Sequence, residues 1–370
     1  MYHSEYGNTA SLKGLFFLIV AFSYGCLTEI DLKVPDSNTP NLAIRGAVTL
    51  VDTPYVEVRI TDVSNFNRDA IPQGVAGAQV KLFDDEGHQL DIPMQDEGFY
   101  RLNIPEGAYD LEVHSGKAYQ LSVHSPDGKY YLSEMDTLYP VPTPSSLHKE
   151  QLRKKVLDAG SLVEKEFFKF SISTPILNPG ARGRAHLLWD CKGTYKFTEP
   201  PKFVAFLVPD SKTCYYFQEL ENGRVLMFNG SESQKDELLE FKLFEEEIDY
   251  RFREGFYLTV VQQSISAGAF EYWNKVRELT SPTATVYDPP PGKVRGNIRN
   301  VTDDTEEVFG YFYAKEEKLI RMFISPSEVR VDVFCLPEIN LDNWEMVDPY
   351  CFDCLLRPNS TVIRPDWWEE

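Results

Sequence analysis

From Leu42 to Val141 apolar and polar residues alternate with a period of two, the pattern of strands that bury one face. The runs LAIRGAVTLVD, YVEVRITDV, AQVKLFDD, GFYRLNIP, AYDLEVHS, AYQLSVHSP and YYLSEM follow one another. Asp-Glu-Gly-His, Ile-Pro-Glu-Gly and Ser-Pro-Asp-Gly-Lys separate several of them and carry turn chemistry. About seven short strands at this spacing predict a β-sandwich over 42–141. The proline-rich YPVPTPSS, Tyr139 to Ser146, then marks a boundary. HKEQLRKKVLDAG, with five bases, reads as a short helix or an exposed loop, so 142–160 is expected to be a linker.

A second β region fills 161–370. EKEFFKFSIST, GRAHLLWDCKGTYKF, KFVAFLVPD, TCYYFQEL, RVLMFNG, LLEFKLFEEEIDYRF and GFYLTVVQQSI read as strands, and EVFGYFYAKEEKLIRMFIS as a hairpin. Ser266 can cap a helix over Ala267 to Leu279, whose Phe270, Trp273, Val276 and Leu279 recur at helical spacing and are expected to bury one face. The fold class predicted is therefore mainly all-β. An N-terminal sandwich of immunoglobulin-like or transthyretin-like type precedes a larger antiparallel β domain with one short helix. GAQVKLFDDEGHQL followed by GFYRL favours a small sandwich of the carboxypeptidase-regulatory style, and no Cys…Trp…Cys pattern marks a true immunoglobulin domain.

Ahead of the sandwich, Lys13 precedes an apolar run from Gly14 to Phe22, and Ser23-Tyr24-Gly25 leads into Cys26. A base, a short apolar core and small residues before a cut describe a secretory signal over 1–25. The run is about half the ~20 residues that a membrane-spanning helix needs. A small residue directly before cysteine matches a bacterial lipoprotein signal, in which Cys26 is acylated; Ser23 stands where leucine is usual. Residues 26–41 then read as a tether, with Glu29 and Asp31 placed as in some surface-exported lipoproteins, so the cell surface is the expected side.

Composition narrows the function. Of 370 residues, 42% are hydrophobic and 13% aromatic, enough for real cores. The net charge of −20 repels nucleic acid and anionic headgroups, so membrane attachment is expected through lipid and nucleic acid is excluded as a partner. Export favours disulfides. Cys191 and Cys214 flank two neighbouring predicted strands and are expected to pair, while two of Cys335, Cys351 and Cys354 pair and leave one over. The CFDC pair lacks further ligands for zinc.

No catalytic constellation emerges. His88, His114, His124, His148 and His186 show no paired spacing, and neither HExxH, GxSxG, a P-loop nor GxGxxG occurs. Glu245, Glu246, Glu247 and Asp249 of FEEEIDY offer carboxylates for glycoside hydrolysis, but an exposed acidic strand face or turn accounts for them more simply. Asp303, Asp304, Glu306 and Glu307 lack the spacing of an EF-hand loop. Tyr130, Tyr131, Tyr215, Tyr216, Trp367 and Trp368 are candidate sugar-stacking rings that strands more often use as core. Neither a metal nor another cofactor is expected.

Several features together resemble one family, the Bacteroidota outer-membrane lipoproteins grouped as domain of unknown function 4249. They are Cys26 followed by EIDL, GFYRL with KAYQLSVHSPDGKYY, the step TVVQQSISAGAFEYWNKV, GKVRGNIRNV with VFGYFYA, and the tail CFDC with RPDWW. The resemblance implies a non-enzymatic envelope lipoprotein, lipid-anchored in the outer membrane beside a TonB-dependent receptor or similar barrel. The alternative is an independent glycan- or peptide-binding lipoprotein. Asp136-Thr137-Leu138 also resembles the O-glycosylation sequence of such envelope proteins, at Thr137.

Overall fold

The computed structural model describes residues 42–62, 73–180, 183–203, 210–220, 224–280, 294–340 and 342–369. The signal 1–25, Cys26 with the tether 26–41, the proline run within 281–293, and 204–209 of KFVAFLVPD lie outside the described residues.

The period-two runs form strands. In order come β1 (Leu42–Leu50), β2 (Tyr55–Asp62), β3 (Gln73–Gly74), β4 (Gln79–Asp84) and β5 (Gln89–Ile92). Next are β6 (Met94–Asp96), β7 (Phe99–Asn103), β8 (Ala118–His124), β9 (Tyr130–Ser133) and β10 (Asp136–Thr137). The long β11 (Ser146–Asp158) and β12 (Ser161–Pro175) lead to β13 (His186–Thr198), β14 (Lys202–Phe203), β15 (Thr213–Glu219) and β16 (Leu226–Phe228). Then follow β17 (Glu237–Glu247), β18 (Phe256–Ile265), helix α1 (Ala267–Thr280), β19 (Ile298–Asn300) and β20 (Phe312–Ile324). The tail carries β21 (Ile339–Asn340), the one-turn helix α2 (Pro349–Phe352) and β22 (Ser360–Thr361). The chain is all-β, with mostly antiparallel sheets.

One eleven-stranded sheet, ordered β22-β15-β13-β18-β20-β1-β2-β7-β6 with β16 and β3 on its flanks, backs the described chain. Its parallel pair, β1 with β20, joins the two halves. A six-stranded sheet, β19-β9-β8-β4-β5 with β10, covers the first half, around Ile44, Val58, Ile60, Leu82, Leu121 and Phe312. Both β19 and β20 come from beyond residue 297, so this sandwich draws on strands distant in sequence from 42–141. A three-stranded sheet, β11-β12-β17, covers the second half, around Phe170, Trp189, Phe244, Phe252, Phe256 and Leu258. In that core the Trp189 indole N–H donates to Gln262 Oε1 at 2.9 Å. The Gln262 amide donates to the Pro142 carbonyl at 2.7 Å and to Thr174 Oγ1 at 2.9 Å, which fastens the proline connector to the sheet.

The structure differs from the sequence reading at five places. His148–Gly160 is neither helix nor loop: it is most of β11 with the turn into β12. Ala159 and Gly160 both take positive φ (47° and 83°), the two-residue turn that matches strand twist. EVFGYFYAKEEKLIRMFIS is no hairpin but leads into one thirteen-residue strand, because Lys-Glu-Glu-Lys supplies no turn residue. AYDLEVHS forms no strand, although Leu111 and Val113 are buried. Helix α1 buries Ala269 and Phe270 while Leu279 is exposed, so only its first turns dock. Cys191 and Cys214 are not bonded: Cys214 lies opposite Phe197 on β13, whereas Cys191 meets Leu220 at the other end of the ladder. Cys214 is instead bridged to Cys354 and Cys335 to Cys351, with Cα separations of 6.1 and 5.7 Å.

Candidate functional site

The outer face of the large sheet, turned away from both cores, carries a groove of about 460 Å³ beside α1. Strand alternation puts Arg45 and Ala47 of β1, Glu57 and Arg59 of β2, and Tyr313 and Lys315 of β20 on this face, with Tyr311 just ahead of β20. The small side chain of Ala47 leaves the floor low. Helix α1 supplies the wall. Ser266 caps it, accepting from the Ala269 N–H at 3.1 Å, and this start projects Tyr272 and Trp273 over the sheet. The Tyr272 and Tyr311 rings lie 4.7 Å apart at 31°, and Trp273 meets Tyr313 edge-on at 6.2 Å.

Two motifs set this face. A Cβ on Gly296 would lie 1.7 Å from the Gly310 carbonyl oxygen, and Gly310 takes φ +100°, so GNIRNV and GYFYA touch backbone to backbone. Asn297, buried, then clamps β20: its amide donates to the Phe312 carbonyl at 2.7 Å and its Oδ1 accepts the Phe312 N–H at 2.9 Å. Phe312 points into the core, and Tyr311 and Tyr313 consequently face the groove.

The charges are unevenly matched. Arg45 and Arg59 are register partners across β1 and β2, and neither guanidinium pairs with a described carboxylate. Glu57 serves Arg101 instead, at 3.2 Å, and Arg101 stacks on Tyr55 at 4.2 Å. Arg59 lies 5.0 Å over the Phe99 ring. Lys315 is neutralised by Glu317 at 2.7 Å; burial opposes its charge, but Tyr313 and Glu317 hold its pKa above the ordinary value. Burial raises the pKa of Tyr272, Tyr311 and Tyr313, so their hydroxyls stay protonated near neutral pH. The Trp273 indole N–H is buried with no hydrogen-bond partner. Aromatic rings and two guanidinia without a described carboxylate give this face the chemistry that a binding surface would use.

The residues singled out from sequence lie elsewhere. Glu245 is held by Lys154 and Lys242, Glu246 by Arg251 at 2.6 Å, Glu247 by Lys165 at 2.9 Å, and Asp249 binds Arg251 at 2.8 Å. Glu245 and Glu247 thus join ion pairs across β11, β12 and β17, while Glu246 and Asp249 close on Arg251 in the turn after β17. Glu306 ties Lys129, Asn300 and Tyr131 together at 2.8, 2.7 and 3.1 Å, and Asp303 caps the turn through Thr305. Tyr131, Tyr215, Tyr216 and Trp368 are buried, Tyr130 is half-buried, and Trp367 lies under Arg321 at 4.3 Å. Thr137 is half-buried in β10, next to Asp136, whose carboxyl is buried and accepts the Ala314 N–H at 2.8 Å. Burial pushes Asp136 up to about 6, against hydrogen bonds from Ser266 and Ala314.

Two other clusters bring titratable side chains together. Asp84, Glu86 and His88 offer three ligand atoms within 4.8 Å of one another. Their geometry is that of a locked turn: Asp84 accepts the Glu86 and His88 N–H groups at 3.0 and 2.8 Å and binds the His88 ring at 2.8 Å, while Lys117 reaches Glu86 at 3.3 Å. His186 Nε2 is 3.2 Å from Ser231 Oγ on the far side of α1, but its Nδ1 has no partner, so the orienting acceptor of a catalytic triad is missing among the described residues. The groove residues were visible only as fragments. Tyr311 and Tyr313 in GYFYA stand at i and i+2 on one face, but Trp273 reads as core until the helix is seen to dock by its first turns alone.

None of the curated proteins compared matches the chain. A family model matches residues 27–320, a span that takes in every residue lining the groove and stops before CFDC and RPDWW. That is well over half of the sequence: the chain belongs to the family described as Domain of unknown function (DUF4249).

Proposed function

We propose that this is a lipid-anchored protein of the outer membrane that works by binding, as the accessory of a β-barrel of the TonB-dependent receptor type. The anchor is Cys26, behind the signal stretch, and tethering would raise the effective concentration of the protein beside its barrel. The observation that carries the reading is the β11–β12 hairpin. Its last five rungs, Lys154↔Lys165 to Asp158↔Ser161, run past the end of the β17 pairing, whose last backbone bond is Ile248 N–H to the Glu166 carbonyl. The cross-strand pair at its tip, Leu157 and Leu162, is 74% and 71% exposed. A two-stranded ribbon is marginal alone in water, and leucines displayed at its end suit a protein contact.

The test is a mild-detergent purification from native outer membranes through a C-terminal tag. One TonB-dependent barrel is expected in near-equal amount with the wild-type protein, and is expected to be lost with Leu157→Asp/Leu162→Asp. Recovery of the protein alone across several detergents would sink the reading. Intact mass gives an independent check: added lipid at Cys26 is expected, and its absence removes the anchor. A second reading, an independent glycan- or peptide-binding lipoprotein, is favoured by the ring-lined groove.

A further inference from the structure

We infer that the groove is a seat for an acidic saccharide, with its carboxylate or sulfate on Arg45 and Arg59 and its ring against the wall of Tyr272, Trp273 and Tyr313. The inference rests on the ligand-binding reading of the groove and is independent of the barrel partner.

The two arginines are the starting point. Like charges directly opposite each other on antiparallel strands destabilise the sheet. Arg101, Arg153, Arg184 and Arg251 each find a carboxylate, Arg101 the Glu57 directly across from it on β2. Arg45 and Arg59 face each other on the groove with no described carboxylate between them. An oxyanion bound by both would relieve that repulsion, and paired guanidinia suit planar carboxylate or tetrahedral sulfate through charge-assisted hydrogen bonds.

The rest of the lining selects the body of the ligand. Phe99 fixes the Arg59 guanidinium by stacking, so its direction is set before the ligand arrives. The tyrosine side chains and the unpartnered Trp273 N–H add polar groups to an otherwise aromatic wall, the Tyr311 hydroxyl lying against the helix at Gly268. An aliphatic ligand would strand these polar groups, whereas a sugar offers them hydroxyls and lays its C–H face on the rings. A space of about 460 Å³ lies in the range of small-molecule sites and suits a short oligosaccharide.

The full-length protein, held in an uncharged polyoxyethylene detergent that carries no sugar, is titrated with galacturonic acid trisaccharide and with a neutral galactose trisaccharide. Heat and tryptophan emission are the readouts. The acidic trisaccharide is expected to bind at least tenfold more tightly than the neutral one and to change the emission, and Trp273→Phe is expected to abolish that change. Arg45→Gln/Arg59→Gln is expected to weaken binding at least tenfold. Because both arginines are exposed and repel, this variant should unfold in urea no earlier than wild type, which shows that the fold is intact. Equal affinity for the two trisaccharides, binding unaltered in the arginine variant, or no binding of either would overturn the proposal. Displacement by sodium sulfate at the trisaccharide's own concentration would overturn it too, reducing the site to an anion seat. The arginine variant should still retain the barrel, so failure here and failure of the docking reading are separable.

Discussion

Asp136 is a carboxylate that the fold holds against its own solvation. It is buried where β10 meets β20 and the start of α1, accepting the Ala314 N–H and hydrogen-bonded to Ser266, the residue that caps the groove's helical wall. Burial raises its pKa from 3.8 to about 6. The folded state therefore binds the proton more tightly than the unfolded chain. Stability contributed by the neutral form is fully present below about pH 4, falls as the pH rises to about 6, and is level above that. The shift corresponds to about 3 kcal/mol at neutral pH. Asp136→Asn keeps an acceptor for Ala314 and removes the charge. It is expected to stabilise the protein by about 2–3 kcal/mol at pH 7 and to be near neutral at pH 4. Urea unfolding of both proteins across this range measures the difference; a gap that is constant with pH would exclude a charged Asp136 as its source.

Among the elements, β20 does most to place the groove, and its position depends on one side chain outside it. Asn297 pairs with both backbone groups of Phe312, acting as an extra strand residue where the chain approaches through Gly296 and Gly310. Asn297→Ala would leave a buried N–H and a buried carbonyl unpaired, at about 1–3 kcal/mol each. A loss of about 2–4 kcal/mol is expected in urea unfolding, against less than about 0.5 for Arg299→Ala, which is exposed on β19. Comparable losses in both would assign the effect to β19 as a whole. The elements legible in sequence were those whose cause is local. Period-two alternation gave the strands, and Ser266 gave the helix start. What could not be read was set by pairing at a distance. The basic residues of β11 look solvated until Glu245 and Glu166 are seen across the ladder, and nothing local shows that Arg45 will stand opposite Arg59. Tyr311 and Tyr313 were legible as strand residues but not as one wall with Trp273, since the helix docks by its first turns only.

At the scale of the whole chain, the described tail is attached by covalent bonds as much as by packing. Its strands β21 and β22 are two residues each, and the segment 325–369 is joined to the large sheet by Cys214–Cys354 and closed on itself by Cys335–Cys351. The bridges span 140 and 16 residues of sequence. Cross-linking removes loop-closure entropy from the unfolded chain, and more for the longer loop: about 3 kcal/mol for some 15 residues and nearly 5 for 100 or more. Trp368, buried against Tyr215 and Tyr257, holds the far end of the tail to the outer face of the same sheet. Cys214→Ala/Cys354→Ala is therefore expected to lower stability by about 2–4 kcal/mol, and by about 1–2 kcal/mol more than Cys335→Ala/Cys351→Ala. Urea midpoints of the two double variants decide it, with wild type measured with and without a phosphine reductant. A wild-type midpoint that ignores the reductant would mean that the bridges do not form. A midpoint that falls below that of the Cys214 variant, since reduction opens both bridges, would show that the stability of the fold depends on their staying oxidised.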